Sequence, residues 1–296
     1  MARDARLAGR TVVVTGAARG LGAELARELA RRGAGLALLG HERPRLEALA
    51  ASLPTPSLAL AVDITDDEAL ARAAHEVRER LGRPSVVVAN AGVAEGGPFA
   101  SSDPASWRRV IDVNLVGSAG TARAFLPDLT ATAGYFLQIA SLASFGAAPM
   151  MSAYCASKAG VEAFAHCLRA EVAHRGVAVG IAYLNWTETD MIRDADRYAV
   201  LRELRAHMPL PARKVRPAEE VAAQVARAVA GRRTAVYVPR WLALVQLGRA
   251  ALPPVVLRAA RRSLPRLEAE GGLAATGMLG AGGEADDRSR AGRAGR

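Results

Sequence analysis

A chain of 296 residues, 51% hydrophobic and with a formal net charge of +10, can bury one substantial core and lies near the upper end of what one domain plus a tail holds. The charge is uneven: from Gly231 onward twelve arginines face five acids, leaving +3 for the first 230 residues, and the 4% of aromatics do not interleave with the arginines, so nucleic-acid binding is excluded as a function class. Near the C-terminus the charge-free stretch from Trp241 to Gly248 falls far short of the roughly 20 apolar residues of a membrane span, MARDARLAGR lacks an apolar leader core, and Cys155 and Cys167 fall roughly 18 Å apart on one predicted helix and in no metal-ligand cluster, so the cytoplasm is the expected compartment and neither a disulfide nor a metal is expected.

Along the chain, short apolar runs alternate with segments of helical period. Strands are predicted at 11–15, 35–39, 58–62, 85–89, 134–139, 177–183 and 234–238, most of them rich in Val, Leu and Ala as strands buried on both faces require. Helices are predicted at 20–32, 44–52, 66–81, 104–130, 151–174 and 218–230, several opened by Asp, Ser or Pro. The alternation predicts an α/β fold, a Rossmann-type doubly wound parallel sheet of about seven strands flanked by helices. The expected organisation is a nucleotide-binding domain over 1–239, with a mobile substrate lid at about 187–216, an apolar and Arg-rich helical extension over 240–270 and a disordered Gly/Ala-rich tail over 271–296.

The first strand runs into Thr15-Gly16-Ala17-Ala18-Arg19-Gly20-Leu21-Gly22 and then a helix. Glycines there admit backbone torsions closed to other residues and let a pyrophosphate approach the N–H groups at the positive helix end, although a tight turn without a ligand needs glycines too. Asp63-Ile64 and Asn90-Ala91-Gly92 end the third and fourth predicted strands, the edge at which a doubly wound sheet binds its ligand. Tyr154 and Lys158 stand four residues apart on one helix face, and Lys158 is one of only two lysines among 39 basic residues. A phenol, with a free pKa near ~10, needs a nearby cation to exchange protons at neutral pH.

These glycines, followed in order by Asn114, Ser141, Tyr154 and Lys158 with 13 residues from Ser141 to Tyr154, resemble the TGxxxGxG loop and Asn-Ser-Tyr-Lys tetrad of the short-chain dehydrogenases/reductases over roughly residues 8 to 240. The resemblance implies a carbonyl/alcohol oxidoreductase using NAD(P). Tyr154 is then the acid/base, Ser141 orients the substrate oxygen, Lys158 holds the nicotinamide ribose and lowers the tyrosine pKa, and Asn114 anchors a proton-relaying water. It also implies that Gly16, Arg19, Gly20, Leu21 and Gly22 cradle the phosphates, that Asp63 and Ile64 meet the adenine, that Asn90, Ala91 and Gly92 shape the adenosine side, and that the chain is a homo-oligomer. Ser144 is the alternative to Ser141.

NAD-preferring relatives end the second strand with an acid, whereas here Leu39-Gly40-His41 follows. With no acid to repel a 2′-phosphate, and with Arg19 and His41 or Arg43 as candidate cations, NADP is favoured over NAD; Glu42 complicates this. After the sixth predicted strand, Thr189 matches the family threonine near the nicotinamide amide, but Leu184-Asn185 replaces Pro-Gly. Asn is able to adopt the left-handed geometry such a turn uses, and Trp186 either packs in the core or stands where nicotinamide or substrate belongs. Arg240 to Arg262 fits two short helices broken at Pro253-Pro254, which cover the cleft, pack in an oligomer or make a peripheral membrane contact. The substrate is read as a small molecule, apolar in view of this extension.

Overall fold

The computed structural model describes residues 6–294. In chain order the elements are β1 (Thr11–Thr15), α1 (Gly20–Arg31), β2 (Gly35–Gly40), α2 (Arg43–Ser52), β3 (Ser57–Ala61), α3 (Asp67–Leu81), β4 (Pro84–Ala89), β5 (Glu95–Gly96), α4 (Pro104–Ile111), α5 (Gly117–Ala131), β6 (Tyr135–Ser141), α6 (Ser152–Val172) and β7 (Ala178–Leu184). They continue with α7 (Asp190–Ala195), α8 (Ala199–Ala206), α9 (Leu210–Arg213), α10 (Ala218–Ala230), β8 (Ala235–Val238), α11 (Leu242–Leu247), α12 (Leu252–Ala269), β9 (Gly277–Met278) and α13 (Gly280–Ala294).

Seven parallel strands form one sheet in the order β3-β2-β1-β4-β6-β7-β8. The burial of β1 shows why such strands read as continuous apolar runs. Val13 joins a core layer with Leu70, Ala73 and Val77 of α3, Phe125 and Leu129 of α5 and Leu168 of α6. Val12 and Val14 face the opposite layer, with Leu25 and Leu29 of α1, Leu46 of α2 and Val221, Val225 and Val229 of α10. Each fully buried Val or Leu contributes about 1.5–3 kcal/mol, so both faces are held by helices and the sheet exposes only its ends. The chain winds outward from β1 through β2 to β3 and then returns across to β4, so the connections that leave the C-terminal ends of the neighbouring β1 and β4 diverge. That is the crevice at which doubly wound sheets bind ligands.

Two expectations are corrected. The single helix expected over 104–130 is α4 and α5 separated by a π turn at Asp112–Val116, which widens the helix around the buried Asn114. The tail expected to be disordered over 271–296 instead forms β9 and α13, its last two residues lying outside those described. β9 pairs antiparallel with β5, and Met278 and Leu279 are buried. Composition misleads here because small residues dock by close approach: a Cβ on Gly280 would meet the Met191 backbone at 2.6 Å. In the extension, Pro253-Pro254 opens the first turn of α12, where the absent proline N–H costs no helical hydrogen bond. Among the described residues no helix is long and apolar enough to cross a membrane.

Candidate active site

One cleft crosses the C-terminal ends of the central strands, lined by Gly16, Arg19, Gly20, Leu21, Gly22, His41, Ile64, Asn90, Ala91, Gly92, Ser141, Tyr154, Lys158 and Thr189. Fourteen of the sixteen residues singled out in the sequence therefore line it. Asp63 and Asn114 do not, although both are buried beside it.

The turn between β1 and α1 is packed backbone on backbone. Gly16 has φ of +65°, and a Cβ on Gly22 would lie 2.2 Å from the Gly16 carbonyl oxygen, so only glycine fits this approach. Thr15 Oγ1 accepts from the backbone N–H groups of Asn90 and Ala91, each at 3.0 Å. The Asn90 carboxamide donates to the Thr15 carbonyl at 2.9 Å and to that of Gly16 at 3.3 Å. The Asn-Ala-Gly segment thus braces the glycine turn. Arg19 is the N-cap of α1 but makes no side-chain capping bond to its first-turn N–H groups, and that turn carries no acid, which leaves the positive helix end open to an anion. This open cradle fits the pyrophosphate of a dinucleotide.

At the next stretch of the cleft the candidate cations are already engaged. Arg19 pairs with Glu42 and, at 3.0 Å, with Asp190 of α7. His41 Nε2 lies 3.2 Å from Asp286 of α13. Asp63 accepts from the Thr65 N–H at 3.0 Å and its hydroxyl at 2.7 Å, and Arg109 lies 3.4 Å away. Burial alone would raise the Asp63 carboxyl, but the Thr65 bonds and the Arg109 and His41 charges hold it below the usual range. Arg109 in turn grips Asp286 through Nε at 2.7 Å and Nη2 at 2.6 Å. Sequence reasoning missed Arg109 and Asp286, together with Leu279, Gly282 and Ala285, which also line the cleft. The one local signal is the acidic cluster Glu284, Asp286 and Asp287 in a segment made mostly of Gly, Ala and Arg.

At the far end β6 delivers Ser141 and α6 delivers Tyr154 and Lys158. The side chains of Tyr154 and Ser141 hydrogen-bond each other, and burial pushes the phenol up to about 12 despite that bond. Lys158 Nζ lies over the tyrosine ring, 5.6 Å from its centre, and burial lowers its own pKa to about 8. It donates to the Ile139 carbonyl at 3.4 Å. Ser144 is buried and donates to the Lys158 carbonyl at 2.8 Å, forming a reciprocal capping turn with Ser141. Asn114 is 1% exposed; its oxygen accepts from Val93 N–H at 2.8 Å, and its amide donates to the Val93 carbonyl and Ser157 Oγ, each at 2.9 Å.

The departure at Leu184-Asn185 is resolved without left-handed geometry, which Asn185 does not adopt. Asn185 instead donates from its backbone to Val238 at 3.0 Å and from its side chain to Ala212 at 2.7 Å, so β8 and α9 fix the turn. Trp186 lies under the Arg205 guanidinium, 5.5 Å from ring centre to carbon, and is absent from the cleft lining.

Residues 10–198 match the family model described as short chain dehydrogenase. An uncharacterized oxidoreductase of Staphylococcus saprophyticus is 31% identical over 192 residues, 63% of this chain and 82% of that protein. Dehydrogenase/reductase SDR family member 7B of Bos taurus is 32% identical over 210 residues, 66% of this chain and 65% of its own length, so the chain spans just under two thirds of that relative. The crystal structure of L-sorbose reductase from Gluconobacter frateurii, complexed with NADPH and L-sorbose, superposes with a TM-score of 0.69 at 22% identity, covering 78% of this chain and 95% of that one. It shares the fold. With the family match running over well more than half of its length, the chain belongs to the short-chain dehydrogenases/reductases and is an oxidoreductase of that family.

Proposed function

We propose that the chain interconverts a carbonyl and an alcohol on an apolar small molecule with NAD(P), favouring NADP, and that Tyr154 is the acid/base. One observation carries this reading: a single cleft joins the open anion cradle at α1 to the hydrogen-bonded Tyr154 and Ser141. A bound nicotinamide dinucleotide supplies or accepts the hydride. Tyr154 gives its phenol proton to the carbonyl oxygen in reduction and takes it back in oxidation. With the phenol held up to about 12, the proton-donating form dominates at neutral pH, which suits reduction. Ser141 fixes the reacting oxygen, Lys158 holds the nicotinamide ribose from the same helix face, and Asn114 anchors the water through which the proton reaches solvent. Thr189 beside Gly20 serves the nicotinamide amide, and Asp63 and Ile64 bound the adenine. The NADP preference is supported by Gly40, which lines the cleft and puts no acid at the end of β2. An apolar substrate is supported by Leu184, Met191 and Ile192 in the cleft lining.

Fluorescence titration with NADPH and NADH, followed by turnover on a panel of ketones and alcohols with wild type and Tyr154→Phe, tests the reading. Tight NADPH binding with turnover abolished in Tyr154→Phe is expected; binding of neither nucleotide overturns it.

A second contact is favoured by the surface of the extension. Leu244 and Leu247 on α11 are 72% and 85% exposed, and the same extension also exposes Val255 and Leu257 and Arg240, Arg258, Arg261 and Arg262. An apolar face rimmed by arginine suits an anionic lipid surface. Flotation with phosphatidylserine vesicles should recover the wild-type protein and lose the Leu244→Asp/Leu247→Asp variant. The family resemblance also supports a homo-oligomer, which light scattering would measure.

A further inference from the structure

Residues 277–294 cross the part of the cleft between the glycine turn and the ends of β2 and β3. They are fastened on both sides. The Leu279 N–H donates to the Ala94 carbonyl at 2.8 Å, β9 pairs with β5, and the Gly280 N–H donates to Asp194 of α7 at 2.9 Å. Leu279, Gly282, Ala285 and Asp286 face the cleft. Asp286 is the charged group this segment buries there, 1% exposed, with both carboxylate oxygens on Arg109 and one of them 3.2 Å from His41 Nε2.

A buried carboxylate persists only where cations and hydrogen bonds satisfy it, so Arg109 and His41 form an anion site that the chain fills with its own side chain. His41 follows Gly40, where the ribose of a bound dinucleotide would meet β2. Its Nε2 cannot hold both Asp286 and a 2′-phosphate. A phosphate brought to His41 also arrives beside the carboxylate, in a part-buried setting where like charges are poorly screened. A ribose that carries only hydroxyls meets no such repulsion and is able to donate to the same oxygens.

We propose that residues 277–294 are a strap over the adenosine half of the cleft and that Asp286 is a specificity-determining residue for the cofactor: it disfavours a 2′-phosphate while the strap is closed, and a 2′-phosphate must displace it to reach His41. The proposal rests on the nicotinamide-dinucleotide reading above.

Asp286→Asn in the full chain tests it. The amide keeps the size of the carboxylate and still accepts from Arg109, so the strap stays folded while its charge is removed. Removing one close like charge is expected to strengthen NADPH binding about tenfold and to change NADH binding by less than about threefold. In the wild-type protein, hydrogen exchange of the amides in 277–288 should quicken on saturation with NADPH and not with NADH. Unchanged or weaker NADPH binding by Asp286→Asn overturns the proposal, as do equal gains for both nucleotides or slower exchange in the strap with NADPH. Binding of neither nucleotide by wild type or variant overturns the cofactor reading itself, and the strap proposal falls with it.

Discussion

Gly22→Ala isolates the close approach at the phosphate cradle from any question of backbone torsion, because Gly22 is not in a left-handed conformation. The added Cβ would lie 2.2 Å from the Gly16 carbonyl oxygen and 2.7 Å from Asn90 Nδ2. The first neighbour is backbone and cannot rotate away, so the turn itself must move, at the ~1–3 kcal/mol typical of overpacking. Displacing the Asn90 carboxamide loosens its bond to the Thr15 carbonyl, worth about 1 kcal/mol net. The expected loss is thus about 2–4 kcal/mol, a fall in Tm of roughly 5–15 °C for a chain of this size, with NADPH binding at least about tenfold weaker because the first-turn N–H groups no longer converge. Gly176→Ala is the control. Gly176 is left-handed, with φ of +75°, but the nearest atom to its Cβ is Ala133 Cβ at 3.4 Å, so it should lose only about 1–2 kcal/mol of torsional strain and bind NADPH as wild type does. Differential scanning fluorimetry and nucleotide titration of both variants decide the matter. A Gly22→Ala protein that melts within about 2 °C of wild type and binds NADPH equally well would refute the close-approach argument.

Thr15→Val should cost about 2–5 kcal/mol in urea unfolding, since it strands the N–H groups of Asn90 and Ala91 beside a fully buried methyl; Thr15→Ser should recover most of it. Lys158 is lowered from 10.5 to about 8, so between those values the unfolded chain binds more protons at this residue than the folded one and its contribution makes stability rise with pH. Subtracting the unfolding free energies of Lys158→Met from wild type at pH 7.5 to 10.5 should reveal a rise of order 3 kcal/mol, and a flat difference curve would contradict it. Arg249→Gln removes the cation that bonds both the buried Glu162 at 2.9 Å and the Ser144 carbonyl at 2.8 Å. Because the Arg249 side chain is 41% exposed, the loss is screened to about 1–2 kcal/mol, read by urea unfolding, with a severalfold fall in kcat as the Ser141–Ser144 turn loosens.

What the sequence made legible follows from how each feature is encoded. The seven parallel strands were readable because burial on both faces writes an unbroken apolar run, as in TVVVT of β1. Ser141, Tyr154 and Lys158 were readable because the order and spacing of a few chemical groups is itself the signal. The π turn at Asn114 was not, since a local change in hydrogen-bonding register leaves the helical period almost intact. The state of the phenol was not either: the sequence places a cation four residues away, but only the folded geometry shows that cation over the ring and the hydroxyl desolvated. Least readable was the tail. Its docking depends on Gly280 meeting the Met191 backbone and on Asp286 reaching Arg109, 177 residues earlier, and no window of local composition contains such a pairing.

Both ends of the cleft are finished by chain that lies beyond the family match at residues 10–198. At the Ser141 end, Arg249 ties the extension to Glu162, which also accepts from Tyr183 at 2.9 Å and Gln246 at 3.0 Å, and to the turn that carries Ser141. At the His41 end, Asp286 ties α13 to Arg109 and, at 3.2 Å, to His41. The two anchors differ in physical character. Arg249 is a part-exposed cation that water solvates when it loosens, leaving the buried Glu162 with the Tyr183 and Gln246 donors, whereas Asp286 is the buried partner and needs a replacement anion or solvent to leave its cations. A phosphate-bearing ligand supplies such an anion and an apolar substrate does not. The extension is therefore expected to respond to the nucleotide at α13 and to hold steady at α11, with Ser141, Tyr154 and Lys158 left rigid between them.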